Sequence, residues 1–226
     1  MKKTVASGGA ARRAPSAGQA PAKRGAKARR PQARPDEILD AALEEFAAQG
    51  FDAARMEDVA ARAGISKAGV YLYFDSKEKL LDALIEREIA PVAERVKMLA
   101  TAGEGDPVGA LRMIAAAVTA QVLNSRIVNI PRLVVSISNR FPDVAAHYRA
   151  RVIDVAFEAA QGLARAGVKR GVFRDLPPRA IIRAFIGPLF FEAIYTHVFK
   201  GEAASADELA AQHFDVLLNG ITSEKT

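Results

Sequence analysis

Between positions 66 and 77 the sequence gathers Ser66, Lys67, Tyr71, Tyr73 and Lys77, all side chains that can donate a hydrogen bond to the phosphates of a polyanion. That is recognition chemistry, not bond-making chemistry. Residues able to make or break bonds are not assembled anywhere in the chain. His147, His197 and His213 stand far apart, with no second ligand at metal-binding spacing, and Ser136 and Ser138 lack the glycine context of a nucleophile elbow. No glycine loop of the phosphate-cradling type occurs. Cysteine is absent, which removes disulfide and thiolate chemistry. No catalytic residue, metal or cofactor is expected. Taken singly, the lysines read as solvated surface and the tyrosines suit an aromatic core equally well; only their joint spacing points to a binding face.

Such a face needs a frame, and Ala60, Gly64 and Val70 supply one. A small residue at 60 lets two helices approach closely, and Gly64 can take the left-handed conformation that turns a chain sharply after a helix. Val70 would then point back into the gap beside Val59 and Ala63. The spacing predicts short helices over about 56–63 and 66–74 that cross steeply, which is the helix-turn-helix arrangement. Ser66 caps the second of them and aims its positive end outward, with Lys67 beside it. This helix exposes Lys67, Gly69, Tyr71 and Tyr73, while Phe74 belongs to the core and Lys77 opens the next helix. Before the pair, Ile38, Leu39, Ala42, Leu43 and Phe46 recur at helical spacing up to a stop at Gly50. After it, a fourth helix begins at Asp75 or Ser76, with Asp75 and Glu78 at capping-box spacing. It turns Leu80, Leu81, Leu84, Ile85 and Ile89 inward and is kinked or interrupted at Pro91.

The stretch from Asp36 to about Glu88 resembles the N-terminal domain of the tetracycline-repressor (TetR/AcrR) family. The resemblance rests on Ile38-Leu39-Asp40-Ala41-Ala42 with Phe46 and Gly50-Phe51, on Ala63-Gly64-Ile65-Ser66-Lys67, and on the run from Tyr71 to Leu80. It implies that the third helix enters the major groove of DNA and that Tyr71 and Lys77 contact phosphates. It also implies a C-terminal helical domain that encloses a ligand cavity and dimerises through the last two long helices. An effector there would shift helix four, change the separation of the two reading helices, and release the dimer from a palindromic operator. The sequence departs from the family pattern at Arg55, where Thr or Ser is common, and at Ala68 and Gly69, where Gly then Thr is usual. Arg55 trades a helix cap for a guanidinium that can bind phosphate.

The rest of the 226 residues fit an all-α protein of about nine helices. Half the residues are apolar, enough for a small domain and a larger one. Residues 1–34 form a basic arm rich in Ala, Gly, Pro and Ser, expected to be disordered when free and without the apolar core of a secretory signal. Residues 35–90 form the helix-turn-helix domain and 91–226 a ligand-binding and dimerisation domain. Residues 36–79 hold five basic and ten acidic residues, unfavourable to DNA overall, so the arm, through Lys23, Arg24, Lys27, Arg29, Arg30 and Arg34, is expected to supply affinity. Beyond Gly103, helices are expected at about 107–124, 127–140, 143–168, 178–199 and 206–220, Asp106 being an N-cap and Pro131 and Pro188 marking bends. Residues 181–199 read as a buried helix and fall short of a membrane span. The last two helices together carry more apolar surface than one pair can hide, so a four-helix homodimer interface is expected. Met113, Phe157, Phe190 and Tyr195 are candidates to line an effector pocket, or plain core residues. The expected protein is a cytoplasmic, sequence-specific regulator, a repressor released by a small molecule. A helical small-molecule-binding protein and a non-specific DNA-binding protein, each with a basic tether, remain as alternatives.

Overall fold

A computed structural model describes residues 34–123, 125–202 and 205–221. Their regular elements are helices, with no sheet among the described residues. The chain runs through α1 (Arg34–Gln49), α2 (Met56–Ala63), α3 (Lys67–Tyr71), α4 (Lys77–Leu84), a π-helical turn (Ile85–Ile89) and α5 (Ala90–Ala102). There follow α6 (Pro107–Val122), α7 (Ser125–Ile137), α8 (Pro142–Tyr148), a second π turn (Arg149–Ile153), α9 (Asp154–Lys169), α10 (Pro178–His197) and α11 (Ala206–Ile221). Because each π turn joins its neighbours without a break, these segments amount to nine continuous helices among the described residues. The first π turn lies just before Pro91, whose missing N–H cannot continue an α-helical ladder. There the Ala90 N–H reaches back five residues to the Ile85 carbonyl. Pro131 and Pro188 sit inside α7 and α10, and both helices continue through them.

Helix starts follow local chemistry. Asp106 caps α6 by accepting from the Gly109 N–H at 3.0 Å, as its spacing from Pro107 suggests. The α4 cap is Ser76, which accepts from the Lys79 N–H at 3.3 Å; the capping box expected between Asp75 and Glu78 is not what starts this helix.

Two apolar cores hold the fold. The first joins Ile38, Leu43, Phe46, Val59, Val70, Leu80 and Leu84 to Ile130, Leu133 and Ile137 of α7 and Val144 of α8. It is therefore not confined to residues 35–90: α7 and α8 complete it. Phe51 is the hinge of this arrangement, with ring centroids 5.3 Å from Phe46 and 5.4 Å from Phe141. The second core is built from α5, α6, α9, α10 and α11 around Leu111, Ile114, Leu163, Phe173, Phe185 and Phe214. His213 ties α11 to α10, its Nε2 lying 2.6 Å from the Phe185 carbonyl. Helix α10 is buried on one face only. Ile181, Ile182, Phe185, Leu189 and Ala193 point inward, while Phe190, Phe191 and Tyr195 are exposed, as is Phe199 just past the end of the helix. The sequence reading of 181–199 as a buried helix thus holds for half of its surface.

Candidate nucleic-acid interface

The turn between α2 and α3 has the geometry its sequence dictates. Gly64 adopts φ +67°, its N–H bonds the Ala61 carbonyl at 3.2 Å, and the Ile65 N–H bonds the Ala60 carbonyl at 3.0 Å. These paired bonds are a Schellman motif, which ends α2 and redirects the chain at once. Ser66 then caps α3 by accepting from the Gly69 N–H at 3.0 Å. A β-carbon on residue 69 would lie 3.3 Å from the Ser66 Oγ, so glycine at 69 keeps that cap uncrowded. Val70 is the one fully buried residue of α3 and anchors it to the first core, where Phe74 packs alongside, half-buried.

The opposite face of α3 is open. Ser66, Lys67, Ala68, Tyr71 and Tyr73 are exposed, the two tyrosines at 41% and 43% of their surface, and Gly69 is half-buried. Neither tyrosine belongs to an aromatic core. Leu72, between them, is 82% exposed, the most exposed large apolar residue of those described. The sequence reading passed over it. Its signal was present: it is an apolar residue two positions after Val70, hence off the buried stripe of a helix. Arg55 is exposed at the start of α2, where no side chain caps the helix. Arg34 is half-buried in the first turn of α1, and the remainder of the basic arm lies outside the described residues.

Two of the lysines already have partners. Lys67 pairs with Glu57 of α2 at 2.5 Å, a contact that raises the lysine pKa and lowers that of the glutamate. Any phosphate at Lys67 must compete with this exposed pair, which screening keeps weak. Lys77 is turned further inward than its sequence position suggests. Its Nζ donates to the Phe51 carbonyl at 2.6 Å and the Asp52 carbonyl at 3.1 Å, and lies 4.8 Å from the Phe51 ring centre. Since an ammonium has three N–H groups, two hold the α1–α2 loop and one is left for an anion.

The acidic excess of residues 36–79 is largely discharged away from α3. Glu44 and Glu45 take Arg62, at 3.2 and 2.9 Å. Asp36 and Asp40 take Arg87 of the first π turn, Asp40 also takes Arg126 of α7, and Asp52 takes Arg140 at 2.7 Å. Counting charge along the chain missed the last three partners because Arg87, Arg126 and Arg140 lie outside the counted segment.

The same arginines bind the helix-turn-helix module to the rest of the molecule, and the two π turns meet in a further, two-pronged link. Arg151 grips Glu86 with two parallel bonds of 2.7 and 2.9 Å, and His147 Nε2 lies 3.0 Å from the same carboxylate. The Arg151 guanidinium holds the Glu86 carboxyl below its ordinary pKa. A carboxylate with a depressed folded-state pKa contributes stability above its unfolded pKa, about 4.3, and loses it as pH falls through the lower folded value. The pair is partly exposed, so its contribution is at most about 1 kcal/mol. Urea midpoints should therefore separate wild type from Glu86→Gln at pH 7 and converge near pH 3; a gap that persists at pH 3 would contradict the assignment. At the buried end of α8, burial pushes the Tyr148 hydroxyl up to about 12, so that phenol stays neutral in this range.

Met113, Phe157, Phe190 and Tyr195 are the candidates for an effector pocket. Met113, Phe190 and Tyr195 stand on exposed faces, and Phe157 packs, half-buried, against the second core. Within that half of the molecule Thr119 and Gln121 carry buried polar oxygens with no protein partner. Among the described residues no group of three or more His, Asp or Glu could hold a metal, and no single helix is long and apolar enough to cross a membrane.

The site is a tight helix-turn-helix with a capped, donor-bearing second helix, set on a larger all-helical body. Residues 38–84 match the profile of bacterial regulatory proteins of the tetR family. That match is confined to the helix-turn-helix part of the chain, α1 to α4. The chain is 45% identical over 53 residues to the HTH-type transcriptional regulator YfiR of Bacillus subtilis, which covers 24% of this chain and 26% of that protein. It spans about a quarter to two fifths of the length of the curated relatives it matches. Its fold is similar to that of a TetR/AcrR-family regulator from Thermobifida fusca, with TM-score 0.59 and 28% identity over 83% of this chain and 97% of that one. It is also similar to SmeT, the repressor of the Stenotrophomonas maltophilia multidrug efflux pump SmeDEF. There the TM-score is 0.67 and the identity 22%, over 84% of this chain and 91% of that one.

Proposed function

We propose that the protein is a homodimeric, sequence-specific transcriptional repressor that binds a palindromic DNA operator and is released from it by a small-molecule effector. The observation that carries this reading is the face of α3, where Ser66, Lys67, Ala68, Gly69, Tyr71, Leu72 and Tyr73 present donors and apolar surface around a buried Val70 anchor. In this reading Lys67, Tyr71, Arg55 and the outward N–H of Lys77 meet phosphates, while Ala68, Gly69, Leu72 and Tyr73 approach base edges. Arg34 would lead the basic arm along the backbone.

The helix that runs from α4 through the first π turn into α5 supports a coupled mechanism. It starts beside α3, at the Ser76 cap, and ends with Val96 and Ala100 in the second core. A displacement of that core would therefore move the base of α3, and a dimer matched to half-sites on B-DNA tolerates little change in the separation of its reading helices. The proposed domain boundary near residue 90 falls within this continuous helix.

A gel-shift with the DNA upstream of the protein's own gene, in excess random competitor, tests the reading. Retardation that survives competitor supports it; retardation erased by competitor supports non-specific binding instead. In the same assay Lys67→Ala should lower the slope of log affinity against log salt by about two per dimer, one phosphate contact being lost in each half-site. An unchanged slope would remove Lys67 from the interface.

A further inference from the structure

A cleft of about 410 Å³ opens where α1 meets α7 and the end of α10. Its walls carry Arg126, Arg132, His197 and Lys200, together with Asn129 and a single carboxylate, Glu44. That carboxylate already lies 3.2 Å from Arg62, so the cleft has a surplus of positive charge. Its arginines are oriented by neighbours. Arg132 donates to the Asn129 side-chain carbonyl at 3.3 Å, and Arg126 is held by Asp40. A guanidinium fixed by one neighbour keeps donors in a planar fork that matches carboxylate or phosphate. Ala47 and Leu43 of α1 add apolar surface, which suits the carbon skeleton of an organic anion.

Lys200 provides an independent observation. It adopts φ 59°, the one non-glycine residue in the left-handed region among those described, and Gly201 stands next to it. The turn that ends α10 is closed by backbone bonds alone, from the Phe199 N–H to the Ile194 carbonyl at 3.1 Å and from the Gly201 N–H to the Tyr195 carbonyl at 3.0 Å. Glycine at 200 would make that turn with less strain. A side chain kept in a strained conformation at the rim of a basic cleft points to a use for its charge.

We propose that this cleft binds a small organic anion through its carboxylate or phosphate group, held by Arg132 and Lys200 with Arg126 and His197 in support. One wall, α1, belongs to the helix-turn-helix core, whereas α10 belongs to the second core, so occupancy fixes one against the other. Binding itself needs no assumption about DNA; the regulatory consequence, an altered grip on the operator, rests on the function proposed above.

The full chain is titrated calorimetrically with citrate and, separately, with inorganic pyrophosphate at constant ionic strength, alongside melting curves. Wild type should bind at least one of the two saturably, and the one that binds distinguishes carboxylate from phosphate. Arg132→Gln and Lys200→Gly should each weaken it at least tenfold, and Arg170→Gln, an exposed cation at the end of α9, should leave it unchanged. Lys200→Gly should also melt at the same temperature as wild type or higher, since it relieves the strained turn, so its lost binding could not be ascribed to misfolding. Failure of both probes to bind saturably, wild-type affinity in either cleft variant, or an equal loss in Arg170→Gln would overturn the site. Saturable binding that leaves operator retention unchanged would overturn the regulatory coupling while the site stands. Binding by a protein that retains no DNA would overturn the repressor reading and not the cleft.

Discussion

Val70→Asp should lower affinity for the proposed operator by more than 100-fold, while most of the helical circular-dichroism signal should survive. Val70 is fully buried and is the sole buried residue of α3. Five residues are too few to hold a helix by propensity in water, so α3 exists because Val70 docks it on the first core. A carboxylate there would be buried without a partner, at a cost of several kcal/mol, and the segment would sooner leave the core than neutralise it. The Schellman turn at Gly64 and the Ser66 cap contribute about 1 kcal/mol each and cannot compensate. Val70→Ala removes only methyl groups and should cost about 1–3 kcal/mol, leaving specific binding weakened but measurable. The second core contains no residue of α1 to α4, so the body of the protein should keep its fold in both variants. Retention of wild-type DNA affinity by Val70→Asp would show that α3 is not the reading element.

That anchor was legible in the sequence because it depends on local spacing. Ala60, Gly64 and Val70 define a turn whose backbone bonds run among residues 60 to 70, and the observed bonds are the ones this spacing requires. The long helices were equally legible, from Asp106 and Pro107 at the start of α6 to the apolar periodicity of α10. What could not be read depends on residues distant in sequence. Position alone, at a helix start, has Lys77 offering its whole charge to phosphate, yet carbonyls 25 and 26 positions earlier take two of its three donors. Likewise, nothing local to Asp40 announces Arg87 or Arg126, and nothing local to Glu86 announces Arg151. The cleft shares this property, since its walls come from residues 43 to 47, 126 to 132 and 197 to 200. Periodicity assigns a residue to a face; it does not say which other face will cover it.

Replacing Phe191 and Phe199 together by Asp should convert the protein from dimer to monomer at micromolar concentration and lower operator affinity by at least 100-fold. These rings are 62% and 71% exposed, Phe191 on α10 and Phe199 in the turn just after it, and Val216 of α11 is 73% exposed. Phe191 also stacks on Tyr195 with centroids 6.2 Å apart and an interplanar angle of 16°, a flat aromatic surface already ordered before any partner arrives. Leaving so much aromatic area in water is unfavourable, and a two-fold axis offers the simplest way to cover it, because the same patch on a second copy is its own complement. Burial of a phenylalanine side chain is worth about 1.5–3 kcal/mol, and each substitution acts twice in a symmetric interface. The double variant should therefore lose about 6 kcal/mol or more of association energy, four orders of magnitude in the dissociation constant. Each monomer would then meet one half-site alone, without the second reading helix that the dimer brings. Neither phenylalanine belongs to the buried set of either core, so the monomer should stay folded, with a melting curve close to that of wild type. Elution of the double variant as a dimer would place the interface elsewhere on the molecule. A folded monomer with undiminished operator affinity would separate DNA binding from dimerisation altogether.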